Sequence, residues 1–135
     1  MLKQFTLSRH ERLKSRKQID RLFSEGRYVN IPPLRVGYIL ESAGDKDQLQ
    51  LGVGVSGRYF KKAVDRNRVK RLLRESWRVQ KAELADLASQ HGKSLKVFII
   101  YTGRELPSYS LVSGKVGSAI EQLRSLFNEK DPADS

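Results

Sequence analysis

The chain has 135 residues, the length of one ordinary domain, and its 26 Lys and Arg residues against 15 Asp and Glu give a formal net charge of +11. The sequence contains no cysteine, which excludes disulfides, thiolate metal sites and cysteine nucleophiles. It also lacks an apolar stretch near the roughly 18 residues of a membrane span and, at its N-terminus, the apolar core of a signal peptide, so we expect a cytoplasmic protein without membrane contact.

The N-terminal part combines a basic arm with a first helix. Residues 1–11 are polar and basic and are expected to form an N-terminal arm of the single domain 1–135. Residues 12–23 are expected to be helical, because Ile19, Leu22 and Phe23 follow the i, i+3, i+4 spacing that places side chains on one helix face.

Two strands are predicted after the Pro32-Pro33 pair. In residues 34–40 the side chains alternate, with Leu34, Val36, Tyr38 and Leu40 on one side and Arg35, Gly37 and Ile39 on the other. A turn at residues 42–47 leads to a second strand at residues 49–56, in which Gly52 and Gly54 share one face. Because two glycines leave little side-chain bulk, we expect a packed element, or less commonly a ligand, to approach that face closely.

The second half of the chain predicts a helix, a strand and a last helix. Residues 63–91 have a helical pattern, in one piece or two, that ends at Gly92. The apolar run at residues 95–101 is typical of a buried central strand, and residues 109–127 form an amphipathic helix before a polar tail at residues 128–135. This order predicts an α+β fold in which helices pack on a small mixed sheet.

The segment of residues 57–81 holds ten basic and two acidic residues and carries most of the net charge. A helical projection places Val69, Leu72, Leu73, Ser76 and Val79 on an apolar side, with Trp77 at its edge. The same projection places Asn67, Lys70, Arg71, Arg74 and Arg78 on the opposite side, with Arg66 and Arg68 at the flanks. Like charges at these spacings repel, so the pattern favours a polyanion that neutralises them over a merely solvated basic face.

Arginine predominates over lysine on this helix. A guanidinium grips phosphate with two hydrogen bonds and stacks on bases, and Asn67 adds a neutral donor and acceptor for a base edge or a 2′-hydroxyl. The helix by itself does not separate RNA from DNA as the partner.

The order Ser56, then Lys61-Lys62-Ala63-Val64, then Arg66-Asn67-Arg68-Val69-Lys70-Arg71-Leu72-Leu73-Arg74-Glu75 closely resembles the signature of the bacterial ribonuclease P protein family. The stretches Arg12-Leu13-Lys14 and Phe23-Ser24-Glu25-Gly26 and the apolar strand before the closing helix are similar to that family as well. The resemblance covers about residues 11–127.

The resemblance implies a small α/β sandwich whose central helix belongs to a left-handed crossover, against the usual preference. It implies that the protein helps a catalytic RNA, which uses Mg²⁺, to remove the 5′ leader of precursor tRNA endonucleolytically and give the mature 5′ end. No obligate protein partner is implied. The expected RNA-binding residues are Arg58, Lys61, Lys62, Arg66, Asn67, Arg68, Lys70, Arg71 and Arg74. A cleft between the first helix and the sheet is expected to hold the leader, with Phe23, Arg35 and Tyr38 as its residues.

The chain departs from the family pattern just after Ser56, where members commonly carry lysines. Here the residues are Gly57-Arg58-Tyr59-Phe60. Arg58 preserves a charge, and Tyr59 or Phe60 is expected to stack on a base.

No catalytic or metal site is predicted in the protein itself. His10 and His91 are isolated in the sequence, and there is no carboxylate cluster of the kind that holds two catalytic metal ions. This pattern agrees with a holoenzyme in which the RNA performs the hydrolysis and the protein contributes charge and substrate binding.

Three other functions stay open at this point. A DNA-binding regulator would lay the basic helix in a major groove, although the sequence shows neither a helix-turn-helix pair nor a zipper. A ribosome-associated protein would share the charge pattern without a leader cleft. An amphipathic helix on a membrane surface would need the Val and Leu side chains that the core of so small a domain requires.

Overall fold

The computed structural model describes residues 11–43 and 49–128. The predicted N-terminal arm lies almost wholly outside these residues, as do His10, most of the predicted turn at 42–47 and the tail beyond residue 128. The elements in chain order are α1 (Arg16–Glu25), β1 (Arg27–Ile31), β2 (Leu34–Ser42), β3 (Leu49–Val55), α2 (Ala63–Gln80), α3 (Ala82–Gln90), β4 (Lys93–Tyr101) and α4 (Tyr109–Asn128).

The four strands form one mixed sheet in the order β1-β2-β4-β3. β2 is antiparallel to both β1 and β4, while β3 runs parallel to β4 at the other edge. The parallel pair is joined by α2 and α3, as a parallel connection requires a crossover. The α+β fold predicted from the sequence is confirmed, and the left-handed sense of the crossover stays a prediction.

The two faces of the sheet have different roles because successive side chains in a strand point to opposite sides. One face, the core face, carries Val36, Leu51, Val97 and Ile99, which pack with buried residues of α2 and α4. The opposite face, called here the groove face, carries Gly37, Gly52 and Phe98, which are paired across the strands. α1 lies on the groove face, since a Cβ atom on Gly37 would meet the Leu22 side chain.

The helix boundaries follow local capping. The Ser15 side chain accepts a hydrogen bond from the Gln18 amide, so α1 begins at Arg16, later than predicted. The predicted helix 63–91 is divided at Lys81 into α2 and α3, and Gly92 ends it with a φ of 62°. β1 was not predicted, because its five residues offer only Val29 and Ile31 as alternating aliphatic positions, too short a pattern to indicate a strand.

The buried stripe of α2 differs from the predicted one. Its fully buried members are Val69, Leu73, Ser76 and Trp77, whereas Val79 is 53% exposed and Leu72 is only partly buried against the core. The apolar side predicted from the projection is therefore rotated toward Trp77, which is 1% exposed in the core cluster.

Candidate nucleic-acid interface

The centre of the groove face is an aromatic floor. Phe98 of β4 lies over Gly52 and Gly54 of β3, and a Cβ atom at Gly52 would be 2.6 Å from Cδ2 of the Phe98 ring. The close approach expected from the two glycines is thus the packing of a ring. Phe23 of α1 meets Phe98 edge to face with 5.1 Å between the ring centroids, and 40% of Phe23 remains exposed. The floor therefore offers an aromatic surface to solvent between α1 and the sheet.

A cation–π pair lies on the same face, nearer the β1 edge of the sheet. The Arg35 guanidinium carbon is 4.5 Å from the centroid of the Tyr28 ring, which is close cation–π contact. Arg35 is exposed, and the Tyr28 hydroxyl donates a hydrogen bond to the Phe23 carbonyl oxygen at 3.1 Å. The structure thus brings Phe23 and Arg35, two of the three predicted cleft residues, to one face.

The structure does not place Tyr38 on the groove face with Phe23 and Arg35, and its leader-binding role stays a prediction. Tyr38 pairs with Val97, which is fully buried on the core face, and packs at the margin of the core cluster. Arg35 and Tyr38 are three residues apart in one strand, so the alternation of side chains places them on opposite sides of the sheet.

The chain before α1 closes the groove at the edge of β3. The Leu13 amide donates a hydrogen bond to the Leu51 carbonyl oxygen at 2.9 Å, and Leu13 is buried. Beside it is a cavity of ≈ 200 Å³ whose lining includes Phe98 and Arg74. The groove face and the basic helix α2 therefore meet at this edge.

Two arginines lie close together at that meeting point. Burial, and secondarily the positive charge of Arg12, lower the pKa of Arg74 from its usual value. Two like charges held near each other attract an anion, so this edge is a favourable position for phosphate.

The outer side of α2 presents the predicted cationic residues unevenly. Asn67, Arg68 and Arg71 are exposed, as are Lys61 and Lys62 before the helix, while Lys70 and Arg74 are half-buried. Arg66 differs, because its Nη1 atom donates hydrogen bonds to the carbonyl oxygens of Phe60 at 2.9 Å and Lys61 at 2.8 Å. Arg66 thus holds the loop before α2 and is half-buried, and its RNA-binding role stays a prediction.

The loop between β3 and α2 places one of its two aromatic rings in the core and the other at the surface. Phe60 is buried and packs against Tyr101 with 6.0 Å between the ring centroids. Of the two rings expected to stack on a base, Phe60 is therefore not accessible. Tyr59 is 38% exposed, with the guanidinium carbons of Arg58 and Arg104 at 6.0 and 5.5 Å from its centroid. Sequence reasoning missed Arg104, because only the pairing of β3 with β4 brings it near Tyr59.

An ion network fixes α1 to the sheet. Glu41 of β2 accepts hydrogen bonds from Arg21 of α1 at 2.5 Å and from Lys96 of β4 at 3.0 Å. The hydrogen bond from Arg21 is the largest cause that lowers the pKa of Glu41 to about 2, with a further contribution from Lys96. The network therefore holds one wall of the groove in place.

Potential catalytic and metal-binding groups are sparse in the described part of the chain. Within residues 11–43 and 49–128, three His, Asp or Glu side chains are nowhere close enough together to hold a metal ion. His91 lies at the end of α3, with its Nδ1 atom 2.9 Å from the Leu87 carbonyl oxygen. Over the same ranges, none of the helices has the length and apolar character needed to cross a membrane.

Comparisons with known proteins agree on one family. The sequence model of the family Ribonuclease P matches residues 7–124. The chain is 37% identical over 108 residues to the ribonuclease P protein component of Porphyromonas gingivalis, covering 80% of this chain and 79% of the relative. It is 27% identical over 129 residues to the component of Chlorobium phaeobacteroides, covering 88% of each.

Solved structures show the same fold. The Staphylococcus aureus RNase P protein superposes with a TM-score of 0.64 at 20% identity, covering 87% of this chain and 97% of that one. The Thermotoga maritima RNase P protein gives a TM-score of 0.63 at 25% identity, covering 83% and 96%.

Proposed function

Because the chain belongs to the ribonuclease P protein component family, we propose that it binds the catalytic RNA subunit and the 5′ leader of precursor tRNA and promotes removal of that leader. Family membership itself implies a role in tRNA processing and an RNA subunit as partner. The finer assignments, including the cytoplasm as the place of action, are part of the proposal.

The observation that carries the proposal is the junction of two unlike surfaces at the β3 edge. The cationic side of α2 suits the phosphates of a structured RNA, since arginine forks bind phosphate without reading sequence. The aromatic floor of the groove face suits an unpaired strand, because every base can stack on a ring. We assign α2 to the catalytic RNA and the groove to the leader, so that one protein contacts both RNAs at once.

The protein's contribution to cleavage is electrostatic and positional. Two RNAs repel each other through their phosphates, and a domain with a net charge of +11 between them lowers that repulsion. We assign the divalent ions to the RNA subunit, where Mg²⁺ supplies Lewis-acid activation of the hydrolysis. The protein should then reduce the Mg²⁺ concentration that cleavage requires.

Reconstitution tests the proposal. The purified protein is mixed with a bacterial ribonuclease P RNA and a precursor tRNA, at a Mg²⁺ level where the RNA alone is nearly inactive. Release of an intact 5′ leader only when the protein is present supports the function. Tight RNA binding without stimulation would reject it and would favour a role on another RNA, such as ribosomal RNA.

A further inference from the structure

The exposed ring of Tyr59 lies where two loops meet at one end of the sheet. Parallel neighbours end at the same edge, and the Ser56 amide donates a hydrogen bond to the Tyr101 carbonyl oxygen at 3.0 Å, which joins the ends of β3 and β4. The loop after β3 carries Arg58 and Tyr59, and the loop after β4 carries Arg104. The topology therefore gathers three side chains that are separated in sequence.

Both loops are held from beneath by buried contacts. Phe60 is anchored in the core next to Tyr101, and the Tyr101 hydroxyl donates a hydrogen bond to the Glu105 carbonyl oxygen at 2.6 Å. Arg66 fixes the backbone of Phe60 from the side of α2. Tyr59 is thus an exposed ring on a supported backbone, which keeps its ordering entropy on binding low.

Arg58 and Arg104 lie near the Tyr59 ring but do not cover it. Their guanidinium carbons are 6.0 and 5.5 Å from the Tyr59 centroid, whereas Arg35 approaches the Tyr28 ring to 4.5 Å. Arg58 and Arg104 are exposed, and neither takes part in the ion pairs found between described residues. An incoming planar group can therefore reach the ring while both cations stay close to it.

We propose that Tyr59, Arg58 and Arg104 form a subsite for one unpaired nucleobase and its phosphate. The base stacks on the Tyr59 ring and the guanidinium groups bind the adjoining phosphate, a combination that is typical of single-stranded RNA recognition. The subsite deepens the proposed function and rests on it only for the identity of the RNA.

The subsite lies at the same end of the sheet as Arg35 of the groove face. On the groove face, Arg35 pairs with Ile100 and Ile100 with Gly54, one residue before β3 and β4 end. Three residues separate Phe98 from the end of β4, which is about 10 Å along the strand. An unpaired nucleotide of the catalytic RNA is the other source of the same chemistry.

A binding experiment with the full-length protein tests the subsite without the holoenzyme. The dissociation constant for an unstructured oligoadenylate is measured for the wild type, Tyr59→Ala, Tyr59→Phe and Arg104→Gln. Tyr59→Ala should weaken binding about five- to twentyfold with an unchanged salt slope, since stacking releases no counterions. Tyr59→Phe should stay within about twofold of wild type, and Arg104→Gln should lower the salt slope by slightly less than one.

Tyr109→Ala is the matched control, because Tyr109 is a tyrosine of similar exposure (42%) at the start of α4. It should bind like the wild type. Equal affinities of Tyr59→Ala and the control would overturn the subsite. So would a loss in Tyr59→Phe as large as in Tyr59→Ala, since that would point to the hydroxyl and not to stacking.

The reconstituted holoenzyme then identifies the source of the base. A loss in Tyr59→Ala that is seen with precursor tRNA but not with leaderless tRNA assigns the base to the leader. A loss in affinity for the catalytic RNA assigns it to that subunit. Failure of the wild-type protein to stimulate cleavage would reject the proposed function, while the oligoadenylate result would still decide the subsite.

Discussion

Arg66 and Arg68 have the same charge and lie two residues apart on α2, but the fold uses them differently. Arg66 is half-buried and donates hydrogen bonds to the carbonyl oxygens of Phe60 and Lys61, whereas Arg68 is exposed. The sequence shows only that both flank the cationic side of the helix. Their separate roles depend on the path of the preceding loop, which no periodicity reveals.

Arg68 and Arg71 are consequently the best residues for testing the basic face, because both are exposed and one helical turn apart. The double variant Arg68→Ala/Arg71→Ala should bind the catalytic RNA at least about tenfold more weakly, with a salt slope lower by about two. Thermal stability should stay close to wild type. Filter binding over a range of salt concentrations measures both quantities.

Lys115→Ala, which removes one cation from α4, is the control for net charge alone. It should change affinity for the catalytic RNA much less than the double variant Arg68→Ala/Arg71→Ala. An unchanged slope in the double variant would show that α2 does not contact RNA phosphates.

Glu41 gives the fold a pH dependence whose sign follows from its pKa. The pKa of Glu41 is lowered from 4.5 to about 2 in the folded state. The ion pairs of Glu41 with Arg21 and Lys96 therefore stabilise the protein fully above pH 4.5, and this stabilisation is lost as the pH falls through about 2. Wild type should be more stable than Glu41→Gln by about 1 kcal/mol near neutral pH, since solvent screens the partly exposed carboxylate.

Urea unfolding of both proteins from pH 6 down to pH 2 measures this difference. The gap in unfolding free energy should close over the interval between about 4.5 and 2. A gap that stays constant across this range would mean that the Arg21–Glu41–Lys96 network does not hold α1 on the sheet.

At the scale of elements, the strongly periodic segments were predicted well and the short ones were not. β3 and α4 were placed to within a residue, because long apolar alternation or helical spacing leaves few alternatives. β1 was missed, since it is an edge strand with little apolar surface. The rotation of α2 was misjudged because Val79 looks apolar in sequence, while the buried Trp77 decides how the helix packs.

Leu73→Ala tests that rotation. Leu73 is 0% exposed in the core cluster, so its truncation leaves a cavity and should lower the unfolding free energy by about 2–5 kcal/mol. Val79→Ala, on the same helix but 53% exposed, should change it by less than about 0.5 kcal/mol. Denaturant unfolding of the two variants compares them directly, and similar losses in both would show that α2 packs in another orientation.

For the whole molecule, charge and patterning predicted the class of partner and the α+β fold, but not which residues share a surface. Phe23 and Arg35 lie on the groove face, while Tyr38 belongs to the core face. Arg104 joins Tyr59 only through the parallel pairing of β3 with β4. Such neighbours depend on strand order, which a single sequence does not contain.

The arrangement of the whole molecule fits the proposed contact of one small domain with two RNAs. The cationic side of α2 and the aromatic floor lie on either side of the β3 edge, where Arg12 and Arg74 are close together. A strand in the groove and a structured RNA against α2 would thus meet across a shared positive edge.

The affinity of the reconstituted holoenzyme for precursor tRNA, relative to leaderless tRNA, tests most directly whether the groove holds the leader. Phe23→Ala removes an exposed ring from the aromatic floor and should lower this ratio about five- to tenfold, with no change in affinity for the catalytic RNA. The same ratio in Phe23→Ala and wild type would contradict the assignment of the leader to the groove face.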